Sequence, residues 1–199
     1  MAELLIMRVM TMANLYYVIG ASGSGKDSLM NFARNHMPEN TKAVFTHRYI
    51  TRPANAGGEN HVSLSEKEFN LRKAAGCFAM SWYSHDMYYG ISIEINQWLR
   101  FGLDVVVNGS RAYLDEATKL YPQLQPVLIS VNSDILRERL ESRGRETPEQ
   151  IERRLEQAHS LELQVSHPGL IIIKNNSTVE NAGEQFIQLI CNQKQTQCA

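Results

Sequence analysis

The stretch LYYVIGASGSGKDSLMNFARN, residues 15–35, constrains the fold more than any other. Residues 15–19 are apolar without alternation and end in glycine, which reads as a strand buried on both faces. From residue 26 to 35, Leu29, Met30, Phe32 and Ala33 recur at helical spacing. Between strand and helix stands Gly20-x-x-x-x-Gly25-Lys26, the spacing of a loop whose backbone N–H groups cradle phosphates and whose lysine reaches the β and γ phosphates. A buried strand, a glycine loop and an amphipathic helix in that order belong to an α/β sheet, in which ligands sit at the carboxyl ends of the strands.

The rest of the chain continues the alternation. Strand patterns fall at residues 43–49, 78–83, 103–107, 127–131 and 170–173. Helical patterns run from Ser65, which forms a capping box with Glu68, to about residue 75, then over 91–101, to about 120, from a Ser133 cap to 141, over 148–163, and over 179–191. Residues 51–61 read as loop. These short apolar runs predict an α/β fold with a central parallel sheet flanked by helices, its functional loops following residues 19, 49, 107 and 131. Asp104, at the start of its strand, reads as a solvated turn residue.

Several classes are excluded. The 199 residues suit one domain, with residues 1–13 read as an N-terminal extension, within which Met12 is an alternative start, and 14–199 as the domain. A formal net charge of −1 with no long basic run argues against nucleic acid. No run of eighteen apolar residues predicts a membrane span. Cys77, Cys191 and Cys198 show neither a disulfide framework nor metal spacing, which suits reduced thiols in the cytoplasm.

Two features point to phosphoryl chemistry. Residues 20–28 (Gly20, Ala21, Ser22, Gly23, Ser24, Gly25, Lys26, Asp27 and Ser28) form the expected ATP cradle, but Asp27 stands where such loops place the Ser or Thr that binds magnesium. A carboxylate beside a triphosphate is repulsive unless a Mg²⁺ ion lies between them, so Asp27 is expected to hold the metal, with Ser28 as the second candidate. Farther on, LRERLESRGRETPEQIERRL places Arg143 and Arg145 around Gly144, in a break between two helices. That suits a lid closing over phosphates, with Arg143, Arg145 and Arg154 offsetting transferring charge and Arg139 on ATP.

The loop 20–28, HRYITRP (47–53), GENHVSLSEKEF (58–69), YYGIS (88–92), the strand 103–107 and the segment 139–158 together resemble the guanylate kinase-like phosphotransferases over nearly the whole chain. The resemblance implies a P-loop kinase with a small acceptor-binding lobe, about 46–92, and an arginine-rich lid, about 139–154. The departures bear on the acceptor. Arg52 matches one acceptor-phosphate arginine, but the second falls at Asn55. The guanine-reading acid falls at Met80, and the Asp-x-Asp after the central strand becomes Asn108-Gly109-Ser110.

Those departures are similar to a sister family, the ribose 1,5-bisphosphate phosphokinases of phosphonate catabolism, through GSGKDS (23–28), HRYITR (47–52), GENH (58–61), YYG (88–90), VVVNGSR (105–111) and RGRE (143–146). The resemblance implies ATP-dependent conversion of ribose 1,5-bisphosphate to 5-phosphoribosyl 1-diphosphate (PRPP). Arg48, Arg52 and Arg111 are then candidates for the acceptor's phosphates, Tyr88 and Tyr89 for hydrogen bonds to phosphate with one of the two packing as core, Asn108 and Ser110 for ribose hydroxyls, and Glu59 and His61 for ribose or metal-bound water. A phosphate acceptor needs no general base, and no catalytic aspartate is evident. The rival readings are a nucleoside monophosphate kinase and a guanylate kinase-like module without catalysis.

Overall fold

The computed structural model describes residues 13–56, 59 and 61–192; the extension before residue 13, Met12 included, and Gly58 and Asn60 of the GENH segment lie outside them. The glycine loop joins strand β1 (Leu15–Gly20) to helix α1 (Lys26–His36), as its sequence predicts. β1 is central in a five-stranded sheet, between β7 (Asp104–Asn108) and β8 (Gln125–Ser130), with β2 (Ala43–Phe45) and β9 (Ile171–Lys174) at the edges. All four pairings are parallel.

Alternation along β1 divides the core. Tyr17 and Ile19 face one side, with Val105, Val107 and Leu128, under α3 (Glu94–Arg100) and α4 (Leu114–Leu120). Tyr16 and Val18 face the other, against Leu29 and Ala33 of α1 and Phe186 and Ile190 of α7 (Val179–Asn192). A one-residue slip would exchange the two faces, so burial on both sides locks the register. Asp104 is fully buried rather than solvated. Its Oδ1 accepts from the Asn14 backbone N–H at 2.8 Å and from the Asn14 amide at 3.4 Å, tying β7 to the entry of β1.

A second sheet of four strands has the order β4 (His61–Ser63), β3 (Arg48–Ile50), β6 (Met87–Ser92), β5 (Phe78–Ser84). Here the structure departs from the sequence-based expectation. The strand expected at 43–49 is two strands: β2 pairs with β7 in the main sheet, and β3 pairs with β6 in the second. The helix expected from residue 91 starts at Glu94, because Ile91 is still paired with Arg48 and Met80. β4 was not legible, since its three residues pair only once β3 is in place. α2 (Glu66–Ala74) is capped by Ser65, whose side chain accepts from the Glu68 N–H, and covers one face of this sheet through Phe69.

α5 (Ser133–Arg143) and α6 (Pro148–Gln164) pack on each other around Leu136, Leu140, Ile151 and Leu155, in a small core of their own. Ser133 is the first helical residue and not the cap. Asn132 flanks the helix, its side chain and backbone exchanging hydrogen bonds with Asn176 at 3.0 and 2.8 Å. Among the described residues no helix is long and apolar enough to cross a membrane, and Cys77 and Cys191 are free thiols.

Candidate active site

The phosphate loop ends at Gly25, whose φ of +83° and position under the Asn175 amide both require glycine; an added Cβ would strike Asn175 Nδ2. Asn175, just past β9 and fully buried, donates to the Ser24 carbonyl at 2.7 Å and so holds the loop from below. This contact had no local signal in the sequence, because the two residues are 151 positions apart.

From that loop Lys26 and Asp27 turn toward the end of β7. Lys26 Nζ donates to Asn108 Oδ1 and lies 3.4 Å from Asp27 Oδ1. Asn108 Nδ2 donates to Asp27 Oδ1 at 2.9 Å and reaches Glu59 Oε2 at 3.4 Å. Arg48 closes the chain with two bonds to the Glu59 carboxylate, one from Nε at 2.7 Å. Five predicted residues, Lys26, Asp27, Asn108, Glu59 and Arg48, are thus in one network joining the loop to the second sheet.

The electrostatics follow from burial. Burial lowers the Lys26 pKa to about 8 against the opposing charge of Asp27. Burial works against ionisation of Asp27, but the Lys26 and Arg48 cations and the Asn108 amide outweigh it and hold the carboxyl below its usual range. Burial lowers Arg48 to about 10, with Asp27 opposing. Asp27 Oδ2 makes no hydrogen bond among the described residues, and the side chain is 44% exposed. An ionised, half-open carboxylate with one unshared oxygen fits a divalent cation. Ser28 is exposed and outside this network.

On the second sheet, strand alternation sorts the candidates. Arg48, His61 and Tyr89 share the inner face. Arg52 donates to His61 Nδ1 at 3.1 Å, and its buried Nε has no partner among the described residues. Tyr89 is covered on the β5 side by Trp82, nearly parallel at 5.5 Å, and on the β3 side by the Arg48 guanidinium at 4.9 Å. Tyr88 does not join Tyr89. It points to the opposite face and stacks on Phe69, because neighbouring residues of a strand alternate. Met80 is 1% exposed and packs with Tyr17, Ile91 and Ile95.

Beyond β7, Ser110 is held through its backbone: the Tyr17 hydroxyl accepts from its N–H at 2.9 Å and donates to its carbonyl at 3.1 Å. A Cβ on Gly109 would collide with the Tyr17 ring. Arg111 instead reaches Gln164 at the end of α6, 3.1 Å away.

The arginine segment also divides. Arg154 donates to the Ser22 hydroxyl at 2.6 Å and pairs with Glu146 at 3.3 Å; Arg143 pairs with the same carboxylate. Arg139 bonds the Ser177 carbonyl at 3.2 Å, near Gly25. Arg145 makes no ion pair among the described residues. Glu146, whose side chain is only 6% exposed and which pairs with both arginines, was not among the expected site residues, although it ends the RGRE segment.

No family model matches the chain. It is 49% identical to the ribose 1,5-bisphosphate phosphokinase PhnN of Psychromonas ingrahamii, over 97% of both chains. It is 51% identical to the protein of the same name from Desulfomicrobium baculatum, over 90% of this chain and 95% of that one. Among solved structures it resembles guanylate kinase from Anaplasma phagocytophilum, with a TM-score of 0.68 and 14% identity over 91% of this chain and 85% of that one, a likeness of fold.

Proposed function

The chain belongs to the ribose 1,5-bisphosphate phosphokinases, and from that membership we propose that it transfers the γ-phosphoryl group of ATP to ribose 1,5-bisphosphate, forming PRPP and ADP, as a step of phosphonate degradation. An oxygen of the acceptor's 1-phosphate forms the new P–O bond, and the bond between the β,γ-bridging oxygen and the γ phosphorus breaks. The attacking oxygen is already ionised, so no general base is required. What the site must supply is position and positive charge.

In this reading residues 20–28 hold the donor phosphates, with Lys26 on the β and γ groups. Asp27 holds Mg²⁺, which when bound screens the charge of the phosphates. Arg143 and Arg154, released from Glu146, and Arg145 close over the transferring group, with Arg139 on ATP, as a lid of about residues 139–154. Arg48 and Arg52 take the acceptor's phosphates from a lobe of about residues 46–92.

The inner face of the second sheet is the observation that carries the choice of acceptor. Among the described residues it offers arginine, with a buried Arg52 Nε that has no partner there, and no nucleobase platform: Met80 is in the core, and Trp82 and Arg48 cover the Tyr89 ring. Its one described acid, Glu59, is taken up by Arg48, and a face with neither an unengaged acid nor a free ring does not suit guanine. The test is ADP release from Mg·ATP with ribose 1,5-bisphosphate, with GMP, or with neither. Turnover with the sugar bisphosphate alone is expected; turnover only with GMP, or none with either acceptor, overturns the reading.

A further inference from the structure

Asn108 is 6% exposed and both ends of its amide are engaged. Its Oδ1 accepts from the Lys26 ammonium, and its Nδ2 faces the Asp27 and Glu59 carboxylates. The orientation is dictated by these neighbours, since a flip would set the amide oxygen against two carboxylates and the NH₂ against a cation. Binding ribose hydroxyls would require breaking these bonds. Aspartate would be nearly isosteric here and would still accept from Lys26, but it has no hydrogen to donate and would place a third carboxylate against two others.

We infer that Asn108 is a positioning residue for ATP whose neutrality is imposed by Asp27: the two positions must carry one carboxylate between them, in contact across a 2.9 Å hydrogen bond, to keep Lys26 directed at the phosphates. Asp27, unusual after the loop lysine, and Asn108, at the strand end, are thus one charge constraint read in two places. The inference rests on ATP being the donor, and it is independent of the acceptor.

The experiment measures ATP affinity by calorimetry in EDTA, so that no metal contributes, for the wild type and for Asn108→Ala, Asn108→Asp, Asp27→Asn and the exchanged Asp27→Asn/Asn108→Asp. Melting temperatures are recorded alongside. Asn108→Asp is expected to bind ATP at least about tenfold more weakly than Asn108→Ala, and the exchange to recover at least about tenfold over Asn108→Asp alone. A packing role predicts the reverse order, since aspartate preserves the shape. The inference is overturned if Asn108→Asp binds as well as Asn108→Ala, if the exchange recovers nothing, or if the affinities simply follow the melting temperatures. Wild-type enzyme that binds ATP but does not turn over ribose 1,5-bisphosphate would sink the proposed function and leave this constraint standing.

Discussion

Arg154 on α6 donates to the Ser22 hydroxyl of the phosphate loop at 2.6 Å, joining residues 132 positions apart, while sharing Glu146 with Arg143. One carboxylate therefore holds two of the proposed lid arginines beside the loop that would receive the phosphates. Arg154→Ala is expected to lower kcat by about 10²–10³-fold, the scale for losing a positioned donor to transition-state charge. Arg137, whose bond to Glu152 links the exposed surfaces of α5 and α6, serves as the control; Arg137→Ala should stay within about twofold. Steady-state rates with saturating ATP separate the two.

Arg48 and Glu59 form a pair whose side chains are 12% and 9% exposed. Removing one partner leaves a nearly buried charge uncompensated, which costs more than the net worth of the pair. Glu59→Ala should therefore lower unfolding stability by about 2–5 kcal/mol and raise KM for the sugar bisphosphate, because Arg48 loses its orientation. Urea unfolding and acceptor titrations check both.

Lys26 has its pKa lowered to about 8. Below that pH the side chain is charged, and above it neutral, so kcat/KM for ATP, which reports the free enzyme, should fall roughly tenfold per pH unit above about 8. Asp27 favours the charged form, so Asp27→Asn should move the midpoint to lower pH. An ADP-release profile from pH 6 to 10 measures it.

If Asp27 holds the metal, Asp27→Asn should raise the Mg²⁺ concentration for half-maximal rate by at least about tenfold, because amides are weaker ligands for this hard cation. Magnesium titration at fixed ATP is the measurement, and an unchanged Mg²⁺ dependence would remove Asp27 from the metal site.

Gly109→Ala drives a Cβ into the Tyr17 ring, whose hydroxyl holds Ser110. The cost should be about 1–3 kcal/mol in stability, with weaker ATP binding as Asn108 next to it is displaced. Thermal melting and calorimetry read the two effects.

The loop and its flanking elements were legible because the signal is local: the glycine spacing, the apolar run before it and the helical stripe after it all lie within residues 15–35. The parallel main sheet followed from unalternating apolar runs, and Lys26 and Asp27 were named from the loop itself, whereas Arg48, Glu59 and Asn108 were named through the family resemblance and for the acceptor rather than for the network they form with Lys26 and Asp27. The break between β2 and β3 was not legible. Residues 43–49 read as one extended stretch, and only pairing partners brought from residues 87–108 send its two halves into different sheets.

What the sequence determined by itself was the kind of site, since a phosphate loop and its neighbouring residue types are short-range facts. The structure alone decided which partners those residues meet. Asn108 contacts residues 81 and 82 positions away, Asn175 supports a loop 151 positions away, and Glu146 gathers arginines from either side of a turn. Such contacts depend on how strand ends converge at one edge of the sheet, and no spacing along the chain records that convergence.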